Sequence, residues 1–180
     1  MPISYATVKT NLYTWAVANL PSGMPVIYWE PNAPRPTVSY CTLFLNTILA
    51  VGQDWTENDA DSFGIVDMKG DRQFTLSIQV YGGTDPLTVL ENLRSSLQKQ
   101  TVLDTLRVNG IVFYESLNIL DISDLIDSQW ERRASMDVLF GIGQTYTDNP
   151  GYFDHMIIQE QINNVDGTVV VNTTFTVPKT

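Results

Sequence analysis

The sequence predicts an α+β fold: a mostly antiparallel or mixed β-sheet with helices packed on one face, followed by a C-terminal β-hairpin arm. Three observations predict this class. The chain has 180 residues, which suits one domain of ordinary size. Its candidate elements run helix, strands, two helices, strands, hairpin, without the strict strand–helix alternation of parallel α/β folds. Apolar residues make up 43% of the chain, enough for a core without disulfides or metals.

A helix opens the pattern and a stiff loop follows it. Apolar side chains recur at steps of three or four, which predicts an amphipathic helix over residues 3–20: Tyr5, Val8, Leu12 and Trp15. Prolines and a glycine end this helix, and a short strand is predicted over 25–29. Three prolines in residues 31–36 fix φ and remove backbone donors, so this segment is predicted to be a loop.

The longest strand is predicted over residues 37–51, and it is apolar on both faces. Four apolar residues fall on each face: Val38, Tyr40, Phe44 and Ile48 against Cys41, Leu43, Leu45 and Leu49. Two apolar faces predict a central strand, or one that a neighbouring subunit covers. Residues 52–71 then form a polar stretch, predicted to be a long loop or an exposed hairpin tip.

Residues 72–81 carry the clearest strand signal in the chain. Apolar and polar residues alternate there with a period of two: Phe74, Leu76, Ile78 and Val80 against Gln73, Thr75, Ser77 and Gln79. A second helix follows, because Asp85 suits its N-cap and Pro86 its first position. Its apolar stripe is predicted to consist of four leucines: Leu87, Leu90, Leu93 and Leu97. A further turn or two is predicted over 102–108, ended by Asn109-Gly110.

The next part of the chain is predicted to be β-rich. A strand is predicted over 111–115, and residues 121–127 are predicted to be irregular. Residues 130–142 form a predicted long strand with one apolar face: Trp130, Ala134, Met136, Val138, Phe140 and Ile142.

A hairpin is predicted near the C-terminus. Strand patterns over 156–162 and 168–177 flank a turn sequence, Asn163 to Gly167. We therefore expect a domain over residues 1–155 and a hairpin arm over 156–180.

Charge and cysteine content restrict the class of protein. Ten basic and twenty acidic residues give a net charge of −10 and a pI near 4.3. A protein whose main task is to hold nucleic acid needs a basic footprint, so the acidic balance argues against that class. Its single cysteine excludes a disulfide framework. The sequence has no secretory signal pattern and no apolar run of roughly 20 residues, so we expect a soluble protein made in a reducing compartment.

The sequence offers no constellation for catalysis. His155 is the only histidine and is expected to be structural or at the surface, while Cys41, in an apolar strand, is expected to be buried and inert. One cysteine and one histidine cannot build the usual zinc sites. We therefore expect no enzyme, no cofactor and no metal.

Two motif-like segments do not meet their own requirements. Gly141-Ile-Gly143 begins like a dinucleotide loop, but Tyr146 occupies the third glycine position and no helix pattern follows. Residues 59–64 begin like a calcium loop, but Phe63 stands where a polar ligand belongs and Gly70 where the bidentate Glu should be. We interpret the first as the end of a strand and the second as a solvated acidic loop.

Several segments in order resemble a known family. They include Tyr28-Trp29 with residues 32–36 and Tyr40 to Leu43, Val51 to Asp54, residues 73–82, 90–94 and 96–98, Asp121 to Asp124, Trp130 to Arg133, Met136 to Phe140, and Gly151 to Met156. Together they resemble the neck or tail terminator proteins of tailed bacteriophages over roughly residues 5–160. The resemblance rests on the order of many short pieces.

The resemblance implies a structural virion protein without enzymatic activity, made in the host cytoplasm. Its place would be the head–tail junction, where a ring of six subunits caps the tail tube, stops its growth and docks to the head connector. Its implied partners are other copies of itself, the tail tube protein, connector or neck adaptor proteins, and the tail sheath where one exists. Genome DNA would pass the lumen without specific binding, and no membrane is implied.

The polar stretch supplies candidate residues for that role. Its carboxylates are predicted to form part of a lumen rim or an inter-ring contact: Asp54, Glu57, Asp59, Asp61, Asp67 and Asp71. A like-charged wall repels the duplex instead of trapping it.

Two alternatives remain open on the sequence. A head-completion or connector adaptor would occupy the other side of the same joint, with a twelve-fold ring. A small enzyme or ligand-binding domain would use the acidic loop to hold a divalent cation, which would raise its melting temperature.

Overall fold

A computed structural model describes residues 3–29, 34–61, 63–126, 129–151, 155–163, 165, 167 and 169–178. The chain forms two compact units. One contains Met1–Trp55 and Met68–Tyr146, and the other contains Thr56–Asp67 and Thr147–Thr180.

The described residues form three helices and ten strands. The helices are α1 (Tyr5–Asn19), α2 (Pro86–Ser96) and α3 (Gln100–Val108). The strands are β1 (Val26–Tyr28), β2 (Tyr40–Thr56), β3 (Val66–Tyr81), β4 (Ile111–Ser116), β5 (Leu120–Asp121), β6 (Asp124–Ile126), β7 (Gln129–Glu131), β8 (Arg133–Asp148), β9 (His155–Asn163) and β10 (Val169–Pro178).

The first unit is built on a mixed six-stranded sheet. Its order is β1-β2-β3-β8-β4, and β5 also pairs with β8. Strand β1 runs parallel to β2, whereas β4 and β5 run antiparallel to β8. The link from β2 to β3 is too short for a parallel crossover, so these two strands form an antiparallel hairpin. The predicted α+β class and mixed sheet are confirmed.

The core lies between the helices and one face of this sheet. From Phe74 to Val80 in β3, and from Ala134 to Phe140 in β8, every second residue is buried there: Phe74, Leu76, Ile78 and Val80 from β3, and Ala134, Met136, Val138 and Phe140 from β8. The helices contribute the other side of the same cluster: Val8, Leu12, Trp15 and Ala16 from α1, Leu90 and Leu93 from α2, and Leu106 from α3. The period-two alternation predicted for β3 is confirmed.

Local signals set the ends of the helices. Ser4 caps α1 and accepts a hydrogen bond from the Thr7 N–H (3.4 Å), and Asp85 caps α2 and accepts one from the Thr88 N–H (3.1 Å). Pro86 is the first residue of α2, as predicted. After α3, Gly110 adopts φ of 74°, the left-handed stop predicted there.

A buried polar contact joins α1 to α2 inside the core. The Trp15 indole N–H donates to the Ser96 hydroxyl (3.0 Å), which donates to the Leu93 carbonyl (2.7 Å). Ser96 is 1% exposed and Trp15 6% exposed. The serine therefore satisfies an indole donor that has no access to water.

Several predicted boundaries are wrong, and each has a local cause. The polar stretch is not one long loop: β2 continues to Thr56 and β3 begins at Val66, so the exposed-hairpin interpretation is the correct one. Leu87 does not join the buried stripe of α2, because it lies in the first turn and is 39% exposed. Residues 121–127 are not simply irregular, since β5 pairs with β8 and β6 pairs with β7.

The strand predicted over 130–142 is two strands. The Arg132 carbonyl accepts a hydrogen bond from the Gly82 N–H (2.8 Å). Arg132 belongs to neither strand: β7 ends at the residue before it and β8 begins at the residue after it. Trp130 therefore leaves the core face, pairs opposite Leu125 in the β6–β7 ribbon, and is 73% exposed.

The second unit contains the C-terminal hairpin. Strands β9 and β10 pair antiparallel from His155 opposite Pro178 to Asn163 opposite Val169, so the predicted hairpin is confirmed. No helix in the described ranges is long and apolar enough to cross a membrane.

Candidate functional site

The side of the main sheet that faces away from the helices, here called the far face, carries a cluster of aromatic and charged side chains. The Tyr40 and Tyr81 rings stack at 4.7 Å with an interplanar angle of 4°. The guanidinium groups of Arg133 and Arg35 lie 5.2 Å and 5.7 Å from the Tyr81 ring centroid. These contacts fix the side chains of β2, β3 and β8 and of the segment before β2 against one another.

Glu131 connects the two arginines of this cluster. Its carboxylate accepts a hydrogen bond from Arg133 Nε (2.7 Å) and lies 3.5 Å from Arg35 Nη1. Burial raises the pKa of Tyr40, which is 5% exposed, so this phenol stays neutral. The charged side chains of this cluster are therefore paired with one another.

A cleft of about 680 Å³ lies beside the cluster. Charged, polar and apolar residues line it: Arg35, Gly82, Gly83, Ile126, Gln129, Trp130, Glu131 and Arg132. The Arg132 guanidinium donates to the Thr84 carbonyl. Sequence reasoning missed this arrangement, although the even–odd alternation of β3 could have indicated that Tyr81 points away from the core.

Asp54 is an ion-pair partner inside the first unit. Its two carboxylate oxygens accept hydrogen bonds from Arg72 Nη1 (2.7 Å) and Nη2 (2.6 Å), and the Tyr146 hydroxyl donates to it as well (3.0 Å). The Arg72 hydrogen bonds are the main reason why its pKa is lowered. Gly70 makes room for the pair, because a Cβ there would lie 2.1 Å from Asp54 Oδ1.

The stability that Asp54 contributes should depend on pH. Its folded-state pKa lies below the ordinary value of 3.8, so the contribution is present above that pH and is lost as pH falls through the lowered pKa. Asp54→Asn should lower the melting temperature by a few degrees at pH 7, and the gap to wild type should close in acid.

Thermal melts of both proteins from pH 7 to pH 2 measure this gap. Comparing variant with wild type isolates Asp54, since Asp85 and Asp121 also have lowered pKa values. Asp71→Asn is the matched control: Asp71 is the exposed neighbour of Arg72, and its loss should leave the melting temperature within about 1 °C. A gap that stays constant with pH would contradict the assigned role of Asp54.

The six predicted carboxylates are divided between the two compact units. Asp54 and Asp71 belong to the first unit, whereas Glu57, Asp59, Asp61 and Asp67 belong to the second. In the second unit the Glu57 N–H donates to the Asp67 carbonyl (2.8 Å), which closes the β2–β3 hairpin.

Asp61 also has a local structural task. One of its carboxylate oxygens accepts hydrogen bonds from the Phe63 and Ile65 N–H groups, both at 2.9 Å, and so holds the hairpin tip. Asp59 and Asp71 are exposed. Whether any of the six carboxylates lines a lumen stays a prediction.

The other candidate residues stand as follows. Cys41 is fully buried, and burial raises the pKa of its thiol to about 12, which makes it inert as predicted. His155 begins β9, and its side chain is outside what the structure describes. Among the described residues, no group of three or more His, Cys, Asp and Glu side chains is placed to hold a metal ion.

Comparison of the sequence with protein families gives a match to the family described as phage neck terminator protein, over residues 6–176. That range is nearly the whole chain. The chain belongs to this family. The resemblance found in the sequence is therefore confirmed. No curated protein sequence matches it.

Several solved structures resemble this neck terminator family member, and one of them is described here. It is the sheath/tube terminator of an extracellular contractile injection system, PVC, in the extended state. The sequence identity is 11% and the TM-score 0.49; the alignment covers all of this chain and 65% of that one. The chain thus spans less than two thirds of the length of that terminator.

Proposed function

We propose that this protein forms a closed ring at the head–tail junction, caps the tail tube, stops its growth and docks to the head connector. The observation that carries the proposal is the family match over residues 6–176. A tail tube grows because each ring offers the next one a repeating head-to-tail interface, and such contacts propagate until something non-equivalent caps them. A terminator must match the last tube ring on one side and differ on the other.

The structure supports this role through its surface. Large apolar side chains remain exposed along one strand, β2, and its hairpin: Phe44, Ile48, Leu49, Val51, Trp55 and Phe63. Exposed apolar side chains on both faces of one strand give other subunits apolar surface to cover. A lateral contact between copies along β2 would bury them.

Loss of the protein from a phage that carries it tests the function. Particles assembled without it should contain tails of uncontrolled length that are not joined to filled heads. Expression of the wild-type chain in the same infection should restore normal tails. Normal, joined tails in its absence would contradict the proposal.

The net charge of the ring would let DNA pass without being held. Six copies, each with a net charge of −10, would carry about −60, and acidic walls repel a duplex. We propose that the residues predicted for the lumen or an inter-ring contact act in this way, including the exposed Asp59 of the second unit and the exposed Asp71 of the first. Asp54 and Asp61 serve within the subunit as well, so neutralising them would confuse folding with function.

The double variant Asp59→Asn, Asp71→Asn should therefore fold normally but reduce phage infectivity at least tenfold through altered tail joining or DNA passage. The control removes two carboxylates elsewhere, with Glu115→Gln and Asp124→Asn, and should keep wild-type infectivity. Plaque counts after complementation measure both. Wild-type infectivity of the first variant would contradict the proposed role of these two carboxylates.

A head-completion or connector adaptor is the second candidate. It shares the neck location and differs in ring size, since six copies support a terminator and twelve an adaptor. The domain boundary proposed between residues 155 and 156 applies to either protein.

A further inference from the structure

In the part of the chain that the structure describes, strand β2 has an open edge beyond its short pairing with β1. The two strands pair only from Val26 opposite Cys41 to Tyr28 opposite Leu43. The Cys41 N–H donates to the Pro25 carbonyl (2.8 Å), and the Trp29 N–H donates to the Leu43 carbonyl (3.0 Å). The backbone groups of Cys41 and Leu43 therefore face β1.

The same alternation continues along β2. A strand residue directs its N–H and C=O to one side, and the next residue directs them to the other. Leu45, Thr47, Leu49 and Val51 consequently turn their backbone groups away from β3. In the described ranges no strand pairs with them on that side. At Gly52, with φ of 72°, the regular alternation ends.

This edge lacks the usual protection against pairing. Residues 45–53 contain no charged residue and no proline, the two features that natural proteins place on free edges. Ile48 is 47% exposed and Leu49 55% exposed. An unprotected, apolar edge of this length is expected to be covered in the working form of the protein.

The chain itself contains a suitable occupant. Strands β9 and β10 form a two-stranded sheet of their own, so each has an outer edge without a strand partner in the described part of the chain. A lone hairpin is marginally stable in water. Residues 169–178 carry no charge and consist mostly of Val and Thr, which favour strands. With nine and ten residues, β9 and β10 are long enough to span the edge from Leu45 to Val51.

We propose that the β9–β10 hairpin of one copy adds to the open edge of β2 in the next copy. This inference rests on the proposed ring and names the contact that closes it. Within one chain, the hairpin and β2 lie in separate sheets. Edge and hairpin are different surfaces of the subunit, so the contact is heterologous, and repeating it generates a closed ring when the rotation closes.

A proline at one edge position tests the contact. Thr47→Pro removes an N–H that points outward, and proline is tolerated at such edge positions. The melting temperature should stay within about 2 °C of wild type. The assembled species seen by analytical ultracentrifugation should disappear, and free subunits should replace it.

The adjacent residue provides the matched control. Ile48 directs its N–H towards β3, so Ile48→Pro breaks the internal ladder and should lower the melting temperature by about 5 °C or more. A folded Thr47→Pro protein that still assembles would overturn the contact and leave the ring intact. A wild-type chain that stays monomeric would overturn the ring and the contact together.

Cross-linking settles the case in which Thr47→Pro fails to fold. One tagged chain carries Thr47→Cys and a second carries Thr174→Cys; co-assembly and a short bis-maleimide should then link the two tags. Cys41 should not react with the maleimide because it is fully buried. Thr101→Cys, exposed on α3, replaces Thr174→Cys as the control and should give no link. Assembled protein with no link at 174, or with equal links at 174 and 101, would contradict the proposal.

Discussion

Phe140→Ala is expected to destabilise the protein by about 3–5 kcal/mol, the usual cost of removing a fully buried phenylalanine. Phe140 is 0% exposed. Its ring contacts three others: Phe74 at 5.6 Å, Phe113 at 6.1 Å and Trp15 at 6.2 Å between centroids. These rings come from β3, β4 and α1, so one truncation loosens the sheet and the helix layer together.

The melting temperature should fall by about 6–20 °C, since a chain of this size loses roughly 2–4 °C per kcal/mol. Differential scanning calorimetry measures the change. Val108→Ala also truncates an apolar side chain, but one on α3 that is 88% exposed, and it should stay within about 0.5 kcal/mol of wild type. Similar losses for the two variants would contradict the assignment of Phe140 to the centre of the core.

Ser96→Ala is expected to destabilise the protein by about 1–3 kcal/mol, because it removes the acceptor of a buried donor. The Trp15 indole N–H would keep its place at the α1–α2 contact without a partner. Urea unfolding followed by tryptophan fluorescence measures the loss.

Two further variants separate the hydrogen bond from other effects. Ser95→Ala changes the exposed neighbouring serine and should be nearly neutral. Trp15→Phe removes the indole donor, so adding Ser96→Ala to it should cost much less than Ser96→Ala alone. Additive losses in the double variant would contradict a coupling between the two side chains.

Sequence reasoning succeeded where the signal is local. The alternation in β3 follows from a sheet with one face on the core, and it needs no knowledge of the partner strands. Asp85 and Pro86 predict the start of α2 because a helix needs an acceptor at its N-cap and tolerates proline at its first position. The hairpin formed by β9 and β10 likewise followed from its turn sequence.

The features that the sequence did not predict depend on residues that are distant along the chain. The break at Arg132 depends on a hydrogen bond from Gly82, fifty residues earlier in the chain. Asp54 looked like one carboxylate among many, because Arg72 and Tyr146 lie on other strands. The stack of Tyr40 on Tyr81 depends on which strands are neighbours, and the order of elements along the chain leaves that open.

The central claim is that this chain works as one subunit of a closed structural ring. The symmetry of the purified protein in solution tests that claim most directly. Native mass spectrometry of the purified protein, with two-dimensional class averages from negatively stained images, gives mass and symmetry together. We expect a closed ring whose mass is six times that of the 20.2 kDa subunit. A monomer at every concentration, or an open chain of subunits, would contradict it.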